Sequence, residues 1–205
     1  GNSNLTSVTP PGQPAHGQSF TPVDLLSAYT PPSVPGVPVP STLFAYNLDK
    51  QLTQTTRPDG LLIGRTYDSA GKLDLLTTPT GNVDYDYFGL TPCPGCAPGR
   101  LQRITDPSGV VLDHAYDGLL LKSLTWSGAV SGTVSFGHDA SFRVTSETVT
   151  VGANTSSVAF GLDNDDLLIC ASPSTCSPAG TDALKITLNA GNGLVTGSTH
   201  GLVTD

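Results

Sequence analysis

A short turn centred on tyrosine recurs along the chain and limits what it can fold into. In Arg65-Thr66-Tyr67-Asp68-Ser69-Ala70-Gly71-Lys72-Leu73, Tyr67 suits a pleated, half-buried strand, Asp68 and Ser69 favour a turn through side-chain to backbone hydrogen bonds, and Gly71 supplies a positive-φ position. The same order returns upstream at Tyr46-Asn47-Leu48-Asp49-Lys50-Gln51-Leu52 and downstream at Tyr85-Asp86 with Gly89, then at Tyr116-Asp117. Weaker copies follow at His138-Asp139 with Val144, Leu162-Asp163 with Leu168, and Leu188-Asn189 with Leu194. Neighbouring copies lie 18 to 22 residues apart where compact and 24 to 31 apart where material is inserted. A second turn falls between copies at Arg57-Pro58-Asp59-Gly60, Thr78-Pro79-Thr80-Gly81, Asp106-Pro107-Ser108-Gly109 and Trp126-Ser127-Gly128, and Pro followed two residues later by Gly fits type I or II geometry. Two turns per copy leave room for two strands. A unit that small cannot bury its own face and must stack on its neighbours.

Composition agrees with many short strands. The 205 residues include 23 Gly and 17 Pro, no Met, and only 13% charged side chains. No window holds apolar residues at helical spacing between caps; the best candidate, Val23 to Tyr29, is cut off by Pro31-Pro32. The chain is therefore expected to be all-β, built of repetitive antiparallel hairpins with very little helix. Alternation along Lys72 to Thr77 places Leu73, Leu75 and Thr77 on one face and Lys72, Asp74 and Leu76 on the other, so one face is expected to be drier. The net charge of −8 disfavours nucleic acid and anionic membrane as partners. No apolar run reaches the ~18 residues of a membrane span. The N-terminus lacks the basic and apolar regions of a signal peptide, which fits either a processed protein or a piece of a longer polypeptide.

The pattern Tyr-Asp-x-x-Gly-Lys/Arg-Leu, followed about ten residues later by a Pro/Gly turn, resembles the YD (tyrosine-aspartate) repeat of Rhs proteins. That superfamily also includes the B and C components of Tc toxins and the extracellular shell of teneurins. Tyr67, Asp68, Gly71 and Leu73 match the marked positions; Tyr46, Tyr85, Asp86, Gly89, Tyr116 and Asp117 match in part. The resemblance implies a β-shell or barrel segment with a hollow interior. It implies a non-enzymatic structural piece of a secreted or cell-surface protein, one that encloses or displays another domain in the manner of a toxin-delivery scaffold. Residues 1–42 read as a Pro/Gly-rich leader containing a degenerate first copy at Phe20, and residues 43–205 as the repeat region. Expected partners are the rest of a longer polypeptide or an enclosed cargo domain. Open sheet edges also make self-association available.

Two insertions depart from the repeat, and each holds two cysteines: Cys93 and Cys96 in Leu90 to Gly99, Cys170 and Cys176 in Leu168 to Pro178. Four cysteines allow three pairings; a bridge within each loop pins that loop without distorting the repeats around it, and points to an oxidising, extracellular setting. Cys93-x-x-Cys96 is also a redox or zinc-ligand spacing, but no helix follows to stabilise a thiolate, and five residues between Cys170 and Cys176 are loose for a zinc knuckle. Asp163-Asn164-Asp165-Asp166 lacks the Gly and Glu of a calcium loop and reads as a turn. His16, His114, His138 and His200 are scattered, and no nucleophile motif or phosphate loop is present. No cofactor or metal is therefore expected. Asp106-Pro107-Ser108-Gly109-Val110 is similar to the Rhs self-cleavage motif but has Val110 for Leu and lies mid-chain, so it reads as a repeat turn. Trp126 is suited to stacking on a sugar, although a lone Trp before a turn is more often a packing residue. It carries the alternative reading of an adhesion module for a glycan or cell-surface partner.

Overall fold

The structure, a computed structural model, describes residues 3–36, 38–90, 97–173, 175–176 and 183–200, together with the backbone of 203–204. Among the described residues there is no helix. The described residues form eighteen strands in chain order. They are β1 (Ser7–Val8), β2 (His16–Phe20), β3 (Leu26–Thr30), β4 (Thr42–Tyr46), β5 (Leu52–Thr56), β6 (Leu62–Tyr67), β7 (Leu73–Thr78), β8 (Gly81–Tyr87), β9 (Leu101–Thr105) and β10 (Val111–Asp117). β11 (Leu120–Ser127), β12 (Gly132–His138), β13 (Val144–Val151), β14 (Asn154–Leu162), β15 (Leu168–Ser172), β16 (Leu184–Leu188), β17 (Val195–His200) and β18 (Val203–Thr204) complete them. From β1 to β8 and from β10 to β18 each pairs antiparallel with the next, as in β4–β5, β6–β7 and β13–β14. The residues fall into two compact units, 1–85 with 105–108 and 86–104 with 109–205.

Every hairpin that turns just after a residue in the Tyr slot, where the structure fixes its register, carries a bulge at that residue. The pairing slips between Thr66 and Tyr67, which face Leu75 and Leu73, so Asp74 is the extra residue. Equivalent slips precede Phe20, Tyr46, Tyr116, His138, Leu162 and Leu188. The bulge changes the expected facing of β7. Leu73 shares a face with Tyr67, Arg65 and Leu76, while Leu75 and Thr77 share the other with Thr66 and Gly64. Plain alternation fails there because two residues oppose one.

Within the first unit the pairings put Phe44, Tyr46, Ile63, Tyr67, Leu73, Leu76 and Val83 on one face, and Ala45, Gln54, Gly64, Thr66, Thr77, Asn82 and Asp84 on the other. Within the second unit the contrast is sharper. One face of β11–β14 carries Leu124, Trp126, Val134, Phe136, Val149 and Val158; the other carries Ser123, Thr125, Thr133, Ser135, Thr148, Thr150 and Ser157. Hydroxyls meet across strands on that second face, Thr125 with Thr133 at 3.2 Å and Thr148 with Ser157 at 2.9 Å. In each unit one face is thus the more apolar, though Arg65 in the first and Glu147, Asn154 and Ser156 in the second fall on it; the other is hydroxyl-rich in the second unit, while in the first it also carries Leu43, Leu62 and Leu75. Neither is sealed: the only hydrophobic residues buried among those described are Ala97, Tyr116, Cys170 and Ala183.

Candidate functional site

The repeated turn is a defined hydrogen-bonded object. In the Tyr67 copy, Asp68 Oδ1 accepts from the backbone N–H groups of Ala70 and Lys72, both at 2.8 Å, while Asp68 N–H donates to the Lys72 carbonyl and Gly71 N–H to the Asp68 carbonyl. A short carboxylate or carboxamide one residue after the Tyr slot can make these bonds, which is why Asp and Asn recur there. Asp139 repeats the pattern to Ser141 and Arg143, Asp163 to Asp165 and Leu167, Asn47 to Gln51, and Thr21 takes the same place with Leu25. Three residues on, the backbone turns left-handed: Gly71 at φ 78°, but Asp24, Lys50, Phe142 and Asp166 at 63° to 65° in other copies. The turn geometry persists after the glycine has gone.

The tyrosine does not bond within its own turn. Tyr67 Oη donates to the carbonyl of Leu52 at 2.8 Å, Tyr46 Oη to Leu26 at 2.9 Å, and Tyr116 Oη to Leu101 at 3.1 Å. Each acceptor is the leucine that opens the strand after the preceding turn. The Tyr and Leu of the signature are therefore two ends of one link between successive copies. The residue before that leucine, or before Val144 in its place, makes a second link. Gln51 Nε2 donates to the Gly71 carbonyl at 2.8 Å, and Arg143 Nη1 donates to the Asp163 carbonyl at 3.0 Å and to Asp166 Oδ1 at 2.9 Å. Arg100 lies over the Tyr116 ring, 5.9 Å from its centroid. Arg143 also donates through Nε to Asp139 Oδ2 at 2.7 Å; the guanidinium holds the Asp139 carboxyl below the usual carboxylate range, and its own pKa is raised by Asp139 and then Asp166.

Two signature assignments move. Tyr85-Asp86 lies inside β8, and the turn begins two residues later: Phe88 N–H donates to the Arg100 carbonyl, and Gly99 sits at φ 73°. Tyr87 and Phe88 hold the Tyr and Asp slots, and Gly99-Arg100-Leu101, not Gly89, supplies the Gly-Lys/Arg-Leu end beyond the insertion. That tripeptide was the available signal, hidden because the insertion splits the motif. Asp117 forms no such turn either. It pairs with Leu120 across Gly118-Leu119, a two-residue connection with Gly118 at φ 58°.

Cys170 and Cys176 form a disulfide with Cα atoms 5.8 Å apart; Cys93 and Cys96 lie outside the described residues. Trp126 is half-buried, its ring lying over Gly132, where a Cβ would meet both the indole and the Thr150 carbonyl. His138 occupies a Tyr slot at a bulge. His114 stacks on Tyr116 at 6.4 Å between centroids, and Phe88 meets Tyr116 edge-on at 6.0 Å. Among the described residues no group of three or more His, Cys, Asp or Glu is placed to hold a metal ion, and no helix is long and apolar enough to cross a membrane.

The comparisons with known proteins follow the same repeat. The profile of the teneurin YD-shell family matches residues 1–165. The chain belongs to that family. No curated protein sequence matches it. Among solved structures, the TcdB2-TccC3-Cdc42 crystal structure aligns with a TM-score of 0.70 at 13% identity, covering 94% of this chain and 12% of that chain. The TcdB2-TccC3 crystal structure gives 0.68 at 12% identity over 94% and 12%, and the Photorhabdus luminescens Tc holotoxin pore 0.61 at 14% over 92% and 10%. At these identities the likeness is one of fold. The YD-shell chain spans about an eighth or less of the length of these structures' chains.

Proposed function

We propose that this YD-shell segment is non-enzymatic wall: an extracellular piece of a longer polypeptide whose sheet encloses or displays another domain. The observation that carries the reading is the pair of unlike, unsealed faces on a sheet that buries almost no core among the described residues. A chain built to be a free globular domain covers its apolar face with a second layer. Here Leu124, Phe136 and Val149 are only half-buried. The Tyr-to-Leu and Gln or Arg links stiffen the sheet along the direction of the repeats, which suits a wall. The similarity to chains in Tc toxin structures supports a toxin-delivery type of scaffold, and the Cys170–Cys176 disulfide supports an oxidising compartment.

The test is face-selective labelling in the intact parent polypeptide. Thr148→Cys and Val149→Cys place single thiols on opposite faces of β13. In an enclosing wall one of the two reacts with a small maleimide but not with a bulky polyethylene-glycol maleimide, while the other reacts with both. Equal reaction of both thiols with the bulky reagent overturns the reading.

A further inference from the structure

Successive turns in the second unit are linked in two unlike ways. Between the turns at 139–143 and 163–167, Arg143 spans the gap, donating to the Asp163 carbonyl and the Asp166 carboxylate. Between 163–167 and 189–194 the linking position is Leu167, which lies against Gly193, and a cleft of about 680 Å³ opens there. Its wall is apolar at Leu167, Ile169, Ile186 and Leu188, and Asp163 and Asp165 stand at its rim. The volume falls in the range of small-ligand sites.

We propose that this cleft receives an arginine side chain from an extended, aliphatic-flanked peptide segment of a partner polypeptide. One copy earlier, a guanidinium fills the corresponding gap. Its Nε holds the Asp139 carboxylate while its Nη1 reaches the carbonyl and carboxylate of the next turn, a planar spread of donors that a lysine ammonium cannot match in geometry. The rim has the complementary charge: Asp163 Oδ1 is committed to its own turn through Asp165 and Leu167, so Asp165, exposed at the tip, is the carboxylate open to an incoming cation. Lys185 also lines the cleft, leaving the two carboxylates in excess by one. The aliphatic floor suits the arginine stem and the flanking side chains, as stems of long cations commonly lie along apolar surface.

Isothermal titration of the intact chain with the acetylated, amidated peptide Leu-Arg-Leu tests this, with lysine and uncharged citrulline in place of arginine as controls. Saturable one-to-one binding is expected, weaker by about five-fold or more for both controls, a difference of roughly 1 kcal/mol. Asp165→Asn weakens the arginine peptide several-fold without disturbing the turn, because Asp165 contributes only its backbone N–H to it. Leu167→Arg supplies the missing guanidinium from within the chain and abolishes peptide binding. Absence of saturable binding to the unmodified chain, equal binding of the citrulline peptide, or undiminished binding to either variant overturns the proposal. None of these readouts depends on the sheet being a wall, so the proposal stands or fails apart from the labelling experiment.

Discussion

Tyr67 contributes a ring and a hydroxyl, and the two are separable. The ring shares a face with Leu73 and Arg65, while the hydroxyl holds the Leu52 carbonyl of the preceding copy. Tyr67→Phe keeps the ring and is expected to lower stability by about 1 kcal/mol, the net value of one such bond. Tyr85→Phe, inside β8 and away from a turn, should lower it less; chemical denaturation of the two variants side by side checks the ranking. Residue-scale strain gives a prediction of opposite sign. Phe142 is 70% exposed and held at φ 65°, a left-handed conformation costly for any side chain and free for glycine. Phe142→Gly, which restores what Gly71 does in the Tyr67 copy, should raise stability by about 0.5–1 kcal/mol, the gain in conformation outweighing the added freedom of the unfolded chain. A lower denaturation midpoint for Phe142→Gly would show that the Phe142 ring contributes packing that outweighs its backbone strain.

At the scale of the hairpin, Arg143 couples two turns, and pH exposes the coupling. The Asp139 pKa is depressed in the fold, first by its hydrogen bonds with Arg143. Its contribution to stability is therefore fully present above the unfolded aspartate value of about 3.9 and is lost as pH falls through the lower folded value. The stability gap between the unmodified chain and Arg143→Gln should be constant from neutral pH to about pH 4 and narrow below it; thermal melts across that range measure it, and a gap independent of pH would exclude the coupling. Gly132 gives a steric counterpart. A methyl there meets the Trp126 ring and the Thr150 carbonyl, whereas at Gly137 it meets chiefly the Ser146 hydroxyl, which can rotate away. Gly132→Ala should cost about 1–3 kcal/mol and shift Trp126 fluorescence, and Gly137→Ala should cost less. The hairpins themselves were legible in the sequence, because Tyr, Asp and Gly each have a local reason to recur. The bulges were not: Asp74 is extra only because of what opposes it across the strand, and no local pattern records a partner's register. The third copy slipped for a related reason, since an insertion between Phe88 and Gly99 separated residues that meet only when the loop is closed. The links made by Gln51 and Arg143 join turns 20 or more residues apart, so neither shows in its own turn's sequence.

For the whole chain, a sheet in which each hairpin leans mainly on the next behaves as a row of coupled units rather than one cooperative core. The disulfide tests how far a disturbance travels. Cys170 lies in β15, paired with Gly161 on β14 and Lys185 on β16, and its bridge to Cys176 closes a loop of sequence separation 6. Closing a loop that short is worth about 2 kcal/mol in the chain-entropy account. In a single-core protein that loss would lower protection everywhere; in a row of nearest-neighbour units it falls on β14 to β16. Replacing both cysteines by serine is therefore expected to accelerate amide exchange in β14–β16 while leaving β4–β7, with their Tyr46 and Tyr67 links, at their original rates. Hydrogen-exchange mass spectrometry reads both regions in one experiment. Uniform loss of protection across β4–β7 would mean that the repeats fold as one body, and that the links between copies transmit stability along the chain as well as setting its geometry.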